Sequence, residues 1–136
     1  MIVTGLLAPA ATYAAAMDEQ VKAAYAAWDA AFKGDPKVVA AFYADDAKLL
    51  PPDHAVYESP AGAEKFFAGV IGSGVTWHKL EIIEADGGDT LVAAAAKWSA
   101  QGKDASGKPA TFGGVATHVF EKQADGSLKL KLHTFN

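Results

Sequence analysis

The sequence contains no cysteine and no arginine. Without thiols there can be no disulfide, no thiolate nucleophile and no thiolate metal ligand. All 12 cationic side chains are Lys, so any mechanism built on a bidentate guanidinium clamp is excluded. Beyond the N-terminus there is no apolar run of the roughly 18 residues that a membrane-spanning helix needs. Charge is sparse too: 12 Lys against 16 Asp plus Glu leaves −4, with no clustered basic face for nucleic acid. What remains is a chain of 136 residues, 51% apolar, long enough for one packed core and too short for two.

Met1 to Ala16 carries no charge. A short apolar stretch, a break at Pro9 and the small residues Ala14, Ala15 and Ala16 match the back half of a secretory signal peptide, without its basic start. The expectation is residues 1–16 as a signal remnant and 17–136 as the domain, periplasmic or secreted. The alternative is an Ala-rich helical extension on a cytoplasmic protein.

From Asp18, a candidate N-cap, the apolar residues Val21, Tyr25, Trp28 and Phe32 recur at helical spacing, and Gly34 ends the pattern. Asp35-Pro36 starts a second helix carrying Val39, Phe42 and Tyr43 inward. Ala44–Ala47 reads as a turn, Lys48–Leu50 as a short strand stopped by Pro51-Pro52, and Ser59-Pro60 as the start of a third helix. Thereafter the period becomes alternating. Strands are predicted over 75–85, 90–101, 109–123 and 127–135, with turns at Asp86–Asp89, Gly102–Lys108 and Ala124–Gly126. Gly113-Gly114 inside the third of these suggests a bulge. Helices first and a strand meander after imply an α+β fold.

The segment AFKGDPKVVAAFYADDAKLLPP, Ala31 to Pro52, resembles the nuclear transport factor 2-like superfamily, and within it the SnoaL-like and SgcJ/EcaC-type bacterial proteins. The ending, with Phe120, Asp125-Gly126 and Phe135-Asn136, is similar in style. The resemblance implies a cone-shaped curved antiparallel sheet against three N-terminal helices, a pocket between them, and a homodimer through the outer sheet face. It does not carry the chemistries known for the superfamily. Where ketosteroid isomerases place their base, this chain has Pro51. Their oxyanion tyrosine falls at Ala27, beside Tyr25 and Trp28, and their second donor at His118, or at Thr117 after a slip of one. The Asp-Arg-Asp set of the epoxide hydrolases cannot be built without Arg. An Asp/His pairing of the kind used by SnoaL-type cyclases stays open.

His118 alternates with Phe112, Gly114, Ala116 and Phe120, so it shares a face with two phenylalanines and is the candidate catalytic base. The expected cavity lining is Trp28, Tyr43, Leu50, His54, Phe66, Phe67, Trp98 and Phe120, with Tyr43 and Trp98 at the rim. His54 follows Asp53 in a loop that would roof the mouth. His133 alternates with Lys129 and Lys131, which puts it on the solvent or dimer side unless a bulge intervenes. His78 shares a face with Leu80 and Ile82 and reads as structural, and Asp45-Asp46 reads as a turn. No histidine spacing suggests a metal site, and no cofactor is expected. The leading expectation is a protein that binds a small apolar molecule, with no nucleic-acid or membrane partner. The alternatives are an acid-base enzyme using His118, and an interaction module working through the outer sheet face.

Overall fold

The computed structural model describes residues 10–136. The first nine positions of the signal-like segment lie outside the described residues. Helix α1 (Ala10–Ala31) begins earlier than Asp18, because the alanine-rich stretch before it is itself a strong helix former. Asp18 therefore lies inside the helix rather than capping it. Met17, Val21, Tyr25, Trp28 and Phe32 bury one stripe, the spacing expected for a helix packed on one side. Gly34 turns the chain at φ 110°, and α2 (Pro36–Ala40) starts with the Asp35 carboxylate accepting from the Lys37 N–H at 2.9 Å. In α3 (Ser59–Gly72), Pro60 sits in the first turn, but Glu58 holds the cap position in place of Ser59.

Six strands form one curved, unclosed sheet: β1 (Tyr43–Leu50), β2 (Tyr57–Glu58), β3 (Trp77–Gly87), β4 (Leu91–Lys103), β5 (Pro109–Lys122) and β6 (Leu128–Phe135). Their spatial order is β2-β1-β6-β5-β4-β3. The meander β3 to β6 is antiparallel as expected, whereas β1 joins β6 in parallel. The expected turn at Ala44–Ala47 is absorbed into β1. Its register against β6 shifts between Tyr43 and Lys48, so the extra residues bulge without leaving the strand. Asp46 faces solvent there and accepts from Lys131 Nζ at 2.7 Å, which holds its carboxyl below the usual range.

Curvature does not come from Gly113-Gly114. That stretch pairs in register, Ser99 opposite Gly113 and Trp98 opposite Gly114. The bulges sit between Ile82 and Glu84 on β3, and across β5 and β6 at Val119/Phe120. Gly114 serves close approach instead. A Cβ there would meet the Asn136 carbonyl and lie 2.9 Å from Trp98 Nε1, and those two atoms hydrogen-bond to each other at 3.0 Å. The helices cover the inner face, whose centre is lined by Val92, Ala94, Ala96 and Ala116. Small side chains on β4 and β5 leave room between sheet and helices.

Candidate functional site

That room is a cavity of about 190 Å³, walled by Trp28 of α1 and Phe32 just after it, α3 (Phe66, Phe67, Val70) and the inner faces of β3 to β6. Its lining is almost wholly apolar, and His78 and His133 stand out in it. His78 projects from β3. Its Nδ1 lies 2.9 Å from Asp29 Oδ1, and Asp29 Oδ2 accepts the Leu80 N–H at 2.9 Å. Both carboxylate oxygens are thus pinned, and the imidazole is fixed in direction. Trp28 meets the His78 ring edge-on at 4.6 Å between centroids, Phe32 lies at 5.2 Å, and Trp98 is parallel to it at 6.1 Å.

His133 comes inward from β6 and is only 6% exposed. The bulge that its alternation lacked is present: Phe120 pairs with Leu130 and Val119 with Leu132, leaving Lys131 as the extra residue. Two consecutive residues then face outward, and His133 and Phe135 turn to the cavity. This corrects the expected solvent-side placement. Tyr43 Oη lies 2.8 Å from His133 Nδ1, while no partner for Nε2 appears among the described residues. Burial pushes the Tyr43 hydroxyl up and the His133 imidazole well down, with the neighbouring His118 and His78 adding to the second effect. The Trp28 indole N–H lies near enough to the Tyr43 oxygen to offset part of its shift. It falls short of hydrogen-bond geometry, and among the described residues it is the one buried side-chain donor left without a partner.

His118, 1% exposed, pairs across the sheet with His133, ring centroids 4.4 Å apart. Its Nδ1 lies 2.8 Å from Tyr25 Oη, and desolvation lowers its pKa to about 3. It borders a separate, much smaller space of about 10 Å³ shared with Phe120 and Leu130, not the main cavity. Among the described residues no cluster of three or more His, Cys, Asp or Glu is arranged to hold a metal ion.

The description "SnoaL-like domain" matches residues 21–130, most of the chain. The chain belongs to the SnoaL-like family. Among solved structures, this SnoaL-like chain is similar to a Xanthomonas campestris protein named for the calcium/calmodulin-dependent protein kinase II association domain. Identity there is 28% over 85% of this chain and 83% of that one, with a TM-score of 0.70. A ketosteroid isomerase-like protein from Erwinia carotovora atroseptica superposes with a TM-score of 0.74, at 20% identity over 86% and 92% of the two chains. A nuclear transport factor 2-like protein with a cystatin-like fold from Novosphingobium aromaticivorans also reaches 0.74, at 13% identity over 96% and 90%. No curated protein matches the sequence. These likenesses show that the SnoaL-like chain shares the fold of those structures, a curved sheet packed against N-terminal helices.

Of the residues expected to line the cavity of this SnoaL-like domain, Trp28, Phe66, Phe67 and Trp98 do border it. Tyr43 is not at the rim. It is fully buried behind His133, because its hydroxyl finds its partner in the core. Leu50 is half-buried on β1, away from the cavity wall. His54 is exposed in the loop before β2, where Asp53 binds the Ala55 N–H and the Tyr57 hydroxyl instead of the imidazole. Phe120 goes with His118 to the smaller space. Sequence reasoning missed Asp29 and treated His78 as structural. The available signal was an acid four residues after Tyr25, at the edge of the buried stripe of α1, with a histidine in phase with Leu80 and Ile82 on an inner strand face.

Proposed function

We propose that this chain encloses a small, largely apolar molecule in the main cavity and moves a proton on it, with His78 as acid-base group and Asp29 as the residue that orients it. The observation that carries the reading is the 2.9 Å contact of His78 Nδ1 with Asp29 Oδ1 at the wall of an otherwise apolar space. A carboxylate can only accept, so it takes the Nδ1–H and leaves Nε2 of the neutral ring as a base. The aromatic walls supply binding area and exclude water, which strengthens electrostatics at a reacting atom. A pure binding protein has little use for a pinned acid-imidazole couple, and an interaction module has little use for an unfilled cavity. His118 fits the role less well. It does not line the main cavity, and its lowered pKa makes it a weak base.

The test uses 1-indanone, an aromatic ketone whose α-hydrogens report a positioned base whatever the natural substrate is. In D2O near neutral pD the protein is expected to accelerate deuterium uptake into 1-indanone. His78→Gln is expected to lower that rate by roughly 10²-fold or more, the usual contribution of a positioned general base. An uptake rate equal to that of buffer, or one retained by His78→Gln, overturns the proton-transfer reading. Absence of any binding, followed by ligand-observed NMR, overturns the binding half as well.

A further inference from the structure

The two imidazoles that border the cavity have different Nδ1 partners, and those partners impose opposite tautomers. Asp29 is an acceptor, so neutral His78 carries its proton on Nδ1. The polar neighbours of the Tyr43 hydroxyl are the Trp28 indole N–H, which can only donate, and His133 Nδ1 at 2.8 Å. Nδ1 is the one acceptor in its reach among the described residues. The hydroxyl therefore donates to Nδ1, and the single proton of a neutral His133 sits on Nε2. Ionisation offers no escape, because burial keeps Tyr43 protonated and His133 uncharged. One imidazole with a bare nitrogen, on β3, and one with an N–H donor, on β6, thus line the same apolar space.

From this arrangement we infer that His133 Nε2–H is a hydrogen-bond donor to an oxygen of the bound molecule, with Tyr43 as the residue that sets its tautomer. The inference rests on the reading of the cavity as a binding site. It narrows the ligand class to apolar molecules that carry an acceptor oxygen, such as a ketone or enone. Between the two imidazoles the wall is aromatic: Trp98 is parallel to His78, Phe135 meets Trp98 edge-on at 5.7 Å, and His133 lies 5.3 Å from Phe135. The body of the ligand would rest on those rings, with its oxygen at the β6 end. A neutral donor suits a carbonyl that gains charge as a proton leaves, because the low-dielectric surroundings strengthen the bond as that charge develops.

The first measurement needs no ligand. In long-range 1H–15N NMR of the intact wild-type chain, His133 is expected to show the Nε2–H pattern and His78 the Nδ1–H pattern. Tyr43→Phe is expected to release the His133 tautomer and leave that of His78 unchanged, which a general loosening of the core would not do. The second compares 1-indanone with indane, which share a ring frame and differ in the carbonyl oxygen. Wild type should prefer 1-indanone by roughly tenfold, the worth of one hydrogen bond. His133→Phe should abolish that preference while still binding indane. A proton on Nδ1 of His133, or equal affinity for the two probes in wild type, overturns the donor assignment and leaves the binding reading standing. Failure of both probes to bind overturns the two together.

Discussion

At the scale of single residues, what separates the three inner histidines is the chemistry of the atom facing Nδ1. Tyr25 and Tyr43 set neutral hydroxyls against His118 and His133, which burial keeps uncharged, whereas Asp29 brings a full charge to His78. The Asp29 carboxylate has two tasks, because its other oxygen takes the Leu80 N–H as β3 passes α1. Asp29→Asn separates these tasks. The amide oxygen keeps the Leu80 N–H, and the amide NH2 turns to His78 Nδ1 and donates to it, which moves the ring proton to Nε2. Replacing two charge-assisted bonds by neutral ones costs about 1–3 kcal/mol, to be read from urea unfolding. Deuterium uptake into 1-indanone should fall with it. Stability equal to wild type would mean that the couple is not held as tightly as its 2.9 Å contacts indicate.

At the scale of elements, Gly114 is where one side chain decides how two strands and the last residue of the chain meet. Trp98 on β4 reaches across Gly114 on β5 to the Asn136 carbonyl, and Asn136 Oδ1 accepts the Val115 N–H at 3.1 Å. Gly114→Ala drives a methyl group into that crossing, against backbone as well as the indole. The expected loss is about 1–3 kcal/mol, seen as a lower Tm together with a change in the Trp98 emission. An unchanged Tm would mean that the crossing opens without cost. The four strands of the meander were legible, since alternation and turn residues such as Asp125-Gly126 act locally, whereas β2 and the first half of β1 were not. The starts of α2 and α3 were legible too, from Asp-Pro and Ser-Pro, although α2 stops at Ala40 and Tyr43, expected on it, opens β1. Irregularities were not. Leu128 and Leu130 share one phase while His133 and Phe135 share the other, and that odd step is the only trace of the β6 bulge in the sequence. Leu132 fits either reading, which is why alternation alone puts His133 outside. The Asp29–His78 contact joins residues 49 apart on a helix and a strand, and no local pattern encodes which of the inner residues will meet.

At the scale of the whole molecule, two buried neutral imidazoles tie stability to pH. His118 titrates at about 3 in the fold and His133 well below its ordinary value, against about 6.5 for each in the unfolded chain. His78 and the hydroxyls of Tyr25 and Tyr43 are the groups that face them, and none offers an anion to stabilise an imidazolium. Below about pH 6.5 the unfolded chain therefore binds two protons that the folded chain refuses. Stability rises with pH wherever the unfolded state holds more protons, so it should be level above pH 7 on this account and fall as the pH drops through 6.5 toward 3. The slope approaches two protons, or about 2.7 kcal/mol per pH unit at the steepest. Urea unfolding between pH 5.5 and 7.5 reads this slope before the exposed carboxylates begin to titrate, and His118→Phe should halve it. A level profile across that window would mean that the inner histidines take up protons inside the fold. That would remove the neutral His133 on which its role as a fixed donor depends.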